Sequence, residues 1–331
     1  MGLKRFIIRR LMQIAVVFFV IMTVLFVLFR LAPGDPVERM VDPSMTPEDA
    51  QLLKESMGLD QPVWTQYLYY LKNVATGNMG VSFHYGEPVM RIVMNRLPNT
   101  VLLFTTSIIL SAFLGIFLGK IAAWKRGERT DTLMTIGALF CHTLFLPWLA
   151  LIMIWFFAYR VGWFPITGMV SPEVWIDPRA GFMDKALDVL HHMALPLMTL
   201  ILIHFGSYLL VMRSSMLDTL KNDYIVTARA KGLDENAVLY RHVFRNAMLL
   251  IIAGMPAALI GIFFTGSMLI EVIFSLDGLG LLGYEAVINR DYPVIFGTLY
   301  IFTLVGLLLK LVSDITYTLV DPRIDFASRE V

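Results

Sequence analysis

Six apolar runs, each long enough to cross a bilayer, constrain this chain more than any other feature: residues 11–29, 99–124, 133–159, 191–212, 247–272 and 294–319. As a helix rising 1.5 Å per residue, the shortest run is about 28 Å long, close to the thickness of a hydrocarbon core. A segment in that core must satisfy its own backbone N–H and C=O groups, so runs of this length fold as helices. The composition agrees. The chain is 57% hydrophobic and 16% charged, with a mean hydropathy of +0.69, well away from a soluble domain. The expected fold is an all-α polytopic membrane protein with six transmembrane helices. Run 11–29 is too long for the apolar part of a signal peptide, and "RLAPGDP" after it offers no cleavage site, so it reads as an uncleaved first span.

Six spans place both termini on one side of the membrane, and the basic residues say which. Lys4, Arg5, Arg9 and Arg10 precede the first span, while Lys125, Arg126 and Arg129 follow the second. Arg213, Lys221, Arg229, Lys231, Arg241 and Arg245 lie between the fourth and fifth, and Arg323 and Arg329 follow the sixth. The other loops are poorer: Arg160, Arg179 and Lys185 in one, Arg290 in another. The positive-inside rule predicts cytoplasmic termini. The long segment after the first span carries six Lys/Arg diluted among eight Asp/Glu, and segments of that length translocate regardless of charge. It has helical signals of its own. Thr46, Pro47 and Asp49 read as a cap and acidic first turn ending near Gly58. Trp64, Tyr67, Leu68, Leu71 and Ala75 recur at helical spacing up to Gly77. A small extracytoplasmic cap of two helices is predicted. Trp124 and Trp163 fall at span ends, where interfacial aromatics sit.

Catalytic patterns are missing. "GIFLGK" at residues 115–120 has one residue too few between its glycines for a phosphate loop and lies in a span, so its glycines read as packing residues. His191 and His192 diverge by about 100° on a helix, with no ligand pattern around them. Cys141, the single cysteine, excludes an internal disulfide and any multi-cysteine metal site, and a net charge of +1 gives no case for nucleic acid. Ionisable residues in spans are functional candidates by default: Glu271 ends the fifth, and Lys310 and Asp314 are spaced to pair within the sixth. A secondary transporter calls for inverted repeats or broken helices in paired positions, and a membrane enzyme for a polar catalytic cluster at matching depth; the sequence displays neither.

One charged stretch between the fourth and fifth spans is more ordered than a tether needs to be: "DYIVTARAKGLDENAVLYRHVFRNA", residues 223–247. It reads as a short helix stopped at Gly232 in a left-handed cap, then a helix begun at Asp234 with an apolar stripe of Val238, Leu239, Val243 and Phe244. Ala228 and Ala230 alternate with Arg229 and Lys231, small side chains that let a helix end enter a partner's groove between cations. A membrane-surface loop held by anionic lipid accounts for the same residues.

The stretch resembles the EAA loop of ABC-importer permeases, in the variant of the dipeptide/oligopeptide/nickel transport family. "RFIIRRLMQ" and "FRLAPGDPV" around the first span, "MGLDQPVWTQYLYYL" and "GNMGVSF" after it, and "IFSLDGLGLLGYEAVINRDYPVIFGTLYIF" with "VSDITYTLVDPRI" at the end extend the resemblance over nearly the whole chain. It implies a type I importer permease: a first helix over 1–30, a cap over 31–98, a five-helix core over 99–319 that includes the coupling loop 213–246, and a cytoplasmic tail over 320–331. Implied partners are a second permease in a heterodimer, two ATP-binding subunits that carry ATP and magnesium, and an extracytoplasmic solute-binding protein, all at the inner membrane. The implied contact with the ATP-binding subunits is Ala228, Arg229, Ala230, Lys231, Gly232 and Leu233. The cargo implied is a peptide or similar small solute. The chain departs from the pattern at Leu250, with proline displaced to Pro256, at Asp277 and at Lys310.

Overall fold

Apolar periodicity and the need to close backbone hydrogen bonds locally make this an almost wholly helical molecule. The computed structural model describes residues 3–31, 61–265 and 267–320; among them the regular structure is helical apart from a single bridge between Val81 and Pro88. In chain order the helices are α1 (Leu3–Leu31), α2 (Val63–Thr76), α3 (Val89–Trp124) and α4 (Arg129–Thr143). Next come α5 (Leu146–Met153), which continues in π-helical turns over Ile154–Arg160, then α6 (Pro172–Ile176) and α7 (Phe182–Thr219). After α8 (Asp223–Ala230), the single turn α9 (Glu235–Ala237) runs through π-helical Val238–Phe244 into α10 (Arg245–Thr265). Finally come α11 (Ser267–Phe274), α12 (Leu279–Asn289) and α13 (Tyr292–Val320). The expected helix over 46–58 and the basic residues of the C-terminal tail lie outside the described residues.

Among the described residues, five helical segments are long and apolar enough to cross a membrane: Arg5–Leu28, Val89–Trp124, Phe182–Thr219, Glu235–Gly261 and Tyr292–Thr316. The third expected span, 133–159, is not one straight helix. It is α4 followed by α5, bent by 98° at the break. Pro147, in the first turn of α5, fits the break at Leu144 and Phe145: it has no N–H for the Thr143 carbonyl four residues back, and its ring would clash with that carbonyl in a continuous helix. The fifth expected span, 247–272, is displaced toward its start, because the helix begins at Glu235 inside the charged stretch.

The chain divides into two compact units, residues 1–98 with 282–308 and residues 99–281 with 309–331. In the first, α2 lies against α1. The Thr23 and Tyr67 hydroxyls are 2.8 Å apart, Phe26 packs on Tyr67 and Tyr70, and the Tyr70 hydroxyl points at the Met22 sulfur. Burial, with Tyr67 adding to it, pushes the Tyr70 phenol up to about 12. Gly77 ends α2 at φ 71° as expected. Buried Asp291 binds the Ser82 hydroxyl and the His84 N–H, and so holds the loop before α3 to the start of α13.

The second unit is built around α7, the longest helix. A Cβ on Gly115 of α3 would come within 2.5 Å of the Phe205 carbonyl oxygen, and one on Gly119 within 2.6 Å of the Leu209 carbonyl oxygen. The "GIFLGK" glycines are packing residues, spaced four apart so that two helices touch at the backbone. Gly206 lets α4 approach α7 in the same way, against the Ala138 carbonyl. One apolar cluster gathers Leu103, Phe104, Leu149, Met153 and Leu200 with Ile270 and Phe274 of α11. A second joins Met212 and Met216 of α7 to the charged stretch.

Candidate functional site

The charged stretch has a fold of its own. Gly232 takes φ +78°, donating its N–H to the Arg229 carbonyl at 2.9 Å, while the Leu233 N–H reaches the Ala228 carbonyl at 3.4 Å. This pair of bonds is the Schellman termination, which satisfies carbonyls that α8 leaves open. Two residues on, the Asp234 carboxylate accepts from the Asn236 N–H at 3.1 Å and starts the next helix. Ile225 and Ala228 on one face of α8 pack with Val238, Leu239 and Val243, and the Asn246 amide donates to the Tyr224 hydroxyl at 2.8 Å. Lys120 of α3 sits over the Tyr240 ring at 5.1 Å. The second helix does not stop before the membrane; it is continuous with α10.

Burial divides the six residues singled out from the sequence. Arg229, Ala230, Lys231, Gly232 and Leu233 are exposed; Ala228 is buried, so its side chain seats α8 on the domain. Sequence reading missed Val226, 61% exposed on the same outward face as Ala230. Its spacing of four from Ala230 is the signal that finds it. Arg229 is engaged within the chain by Glu235, through bonds of 2.9 and 3.2 Å. The pair is half-exposed, and such surface pairs contribute about 1 kcal/mol or less, so a partner's carboxylate can take the guanidinium over. The outward surface is thus an apolar ridge of Val226, Ala230 and Leu233 beside Lys231.

Other polar residues hold the frame. Buried Asp131 at the start of α4 accepts from Arg213 Nε at 2.6 Å and Nη2 at 2.8 Å, and also from the Gly127 N–H. Glu271, 1% exposed, accepts from the Thr100 hydroxyl at 2.7 Å and from the N–H groups of Gly280 and Leu281 at 2.6 and 3.2 Å. It is therefore the cap of α12. Lys310 and Asp314 form the expected pair at 3.8 Å. His191 faces the Trp163 carbonyl, while His192 lies 3.3 Å from the Asp188 carboxylate, a partner that the sequence reading overlooked. Among the described residues no group of three or more His, Cys, Asp or Glu is placed to hold a metal.

The described residues thus combine helices of membrane-crossing length with a short folded helix pair that follows the end of α7. Residues 115–326 match the family of binding-protein-dependent transport system inner membrane components, and residues 3–104 match the N-terminal domain of such components. The chain belongs to that family: it is a multi-pass inner-membrane permease subunit of an ABC importer, and not an enzyme. It is 42% identical to the peptidoglycan transport system permease protein YejB of Agrobacterium fabrum, over 87% of this chain and 79% of that one. It is 35% identical to the oligopeptide transport system permease protein AppB of Bacillus subtilis, over 97% and 99%. The dipeptide transport system permease protein DppB of Alkalihalophilus pseudofirmus is 32% identical over 96% and 98%. A crystal structure of an amino acid ABC transporter with histidines superposes with a TM-score of 0.52 at 12% identity, over 69% of this chain and 93% of that one, and carries the fold alone.

Proposed function

We propose that this chain forms half of a translocation pathway for peptides, in a heterodimer with a second permease, and that α8 is its coupling helix. The importer has two ATP-binding subunits holding ATP and magnesium, and one of them docks on the ridge of Val226, Ala230 and Leu233, with Lys231 and a released Arg229 meeting acidic groups at its edge. Gly232 fixes the direction in which that edge points. A solute-binding protein delivers cargo on the extracytoplasmic side, the side to which the distribution of Lys and Arg assigns residues 31–98. The termini are cytoplasmic. The peptide cargo is suggested by the names of the relatives. The observation that carries the coupling assignment is the Schellman-ended helix seated on its own buried cluster. A loop that only lies on lipid needs no such seat.

Gly232→Val tests it. No atom lies within 4 Å of a Cβ added there, so the cost is backbone strain alone, about 1–2 kcal/mol. The variant inserts and accumulates near the wild-type level. In reconstituted complexes its ATP hydrolysis no longer responds to solute-loaded binding protein, or its ATP-binding subunits dissociate. Wild-type coupling in Gly232→Val would remove the assignment.

A further inference from the structure

Lys185, in the first turns of α7, is partly exposed, and among the described residues it forms no ion pair. Its ammonium sits over the Trp175 ring, 5.3 Å from the centre. That ring is fixed in turn: its N–H donates at 3.1 Å to the Asp188 carboxylate, which also accepts from the Ser171 N–H at 2.8 Å and lies beside His192. Asp188 is buried and engaged by these partners, while Asp184 accepts from the Gly181 N–H at 2.8 Å. Both carboxylates next to Lys185 on α7 are therefore committed to other donors, and its charge is open to an outside anion.

Lys185 borders a cleft of about 390 Å³ that follows one face of α7 through Val189, Met193 and Leu197, with Leu102 and Thr106 of α3 also lining it. From Lys185 to Leu197 the cleft runs about 18 Å along the helix axis. Lys185 lies six residues, about 9 Å, before the apolar run 191–212 and so at the level of the headgroups, whereas Leu197 lies within the hydrocarbon. Apart from Lys185 and the Trp175 N–H already given to Asp188, the Thr106 hydroxyl is the single polar side-chain group on its wall.

A cleft with a cation at its headgroup end and hydrocarbon along the rest selects among the molecules that reach this depth. An extended peptide brings an N–H and a C=O per residue, and one hydroxyl cannot answer them. A helix is too thick: spread over its length, the cleft has a mean section on the order of 20 Å², against about 80 Å² for a helix with its side chains. A phospholipid meets both demands, with a phosphate for the ammonium and a chain that asks for no hydrogen bond.

We propose that this cleft binds one acidic phospholipid, its phosphate on Lys185 and an acyl chain laid along α7 toward Leu197. Asp188 is a positioning residue for the site, because it orients the indole over which the ammonium is held.

The test uses the complex that purifies with this chain, with dioleoylphosphatidylglycerol as the probe and dioleoylphosphatidylethanolamine as the lipid without net charge. Native mass spectrometry counts the lipids retained as each is titrated. Lys185→Gln keeps most of the side chain's length and removes its charge; the apparent affinity for one phosphatidylglycerol falls about five- to tenfold, the weight of one lysine at a phosphate. Lys185→Arg retains that lipid. Wild type holds phosphatidylethanolamine less tightly, and Lys185→Gln changes its binding less. Leu190→p-benzoylphenylalanine places a photoreactive group in the cleft and leaves Lys185 untouched. In nanodiscs of the two lipids, irradiation gives this chain an adduct with the mass of phosphatidylglycerol. Unchanged phosphatidylglycerol affinity in Lys185→Gln, or equal affinity of wild type for the two lipids, overturns the proposal. An adduct with a second permease, which marks a subunit interface, overturns it too, as does one with isotope-labelled trialanine, which marks a peptide site.

Discussion

Asp131 and Arg213 stand 82 positions apart in the sequence, yet they meet through two short bonds that tie the start of α4 to the end of α7. The sequence displays Arg213 as one more cytoplasmic cation, and no local pattern joins it to an aspartate so distant. Gly232 is the contrasting case, since a glycine between a helical pattern and a capping aspartate announces its conformation locally. Asp131 is almost fully buried, so Asp131→Asn leaves a guanidinium half-satisfied against apolar surroundings and costs on the order of 3 kcal/mol. The double change Asp131→Leu with Arg213→Leu lies closer to wild type, because nothing charged is stranded. Thermal unfolding of the purified complex separates the two, and a double variant weaker than Asp131→Asn would contradict this account.

Among the elements, the helices that hydropathy locates well are those whose apolar run is uninterrupted, such as α1 and α13. It underestimates α3 and α7, whose ends are amphipathic: residues 89–98 and 182–190 continue the helix with polar side chains that an apolar scan discards. It misses the break between α4 and α5, because Leu144, Phe145 and Leu146 are as apolar as their neighbours and Pro147 alone marks the turn. Glu271 illustrates a third kind of miss. Read along the chain it is an ion in a span; in the fold it caps α12, and Gly278 is glycine because a Cβ there would overlap the carboxylate. Glu271→Ala strands the Gly280 and Leu281 N–H groups and costs on the order of 2–3 kcal/mol, whereas Glu271→Gln keeps one acceptor and costs less. Gly278→Ala, by displacing the carboxylate, lowers the unfolding midpoint as Glu271→Ala does. If Glu271→Ala were as stable as wild type in detergent, the cap would be ornamental.

For the whole molecule, orientation rests on where Lys and Arg fall, which is a property of the sequence that the fold does not alter. Reporter domains fused after Gly127 and after Val331 register in the cytoplasm, and one inserted within 47–74 registers outside. A cytoplasmic signal from 47–74 would invert the arrangement and take the docking face with it. Because α9, the π-helical turns and α10 form one unbroken helix, the segment that follows the Gly232 turn, against which α8 packs, is not hinged to its span by a loop. It is the short arm of a lever. From Glu235 to Pro256, the proline inside α10, the arm is about 32 Å long, so a tilt of about 5° at the docked end sweeps the proline through about 3 Å. Such a beam transmits angle and not compression: a partner drives it by rolling α8, and a push along the helix axis is wasted.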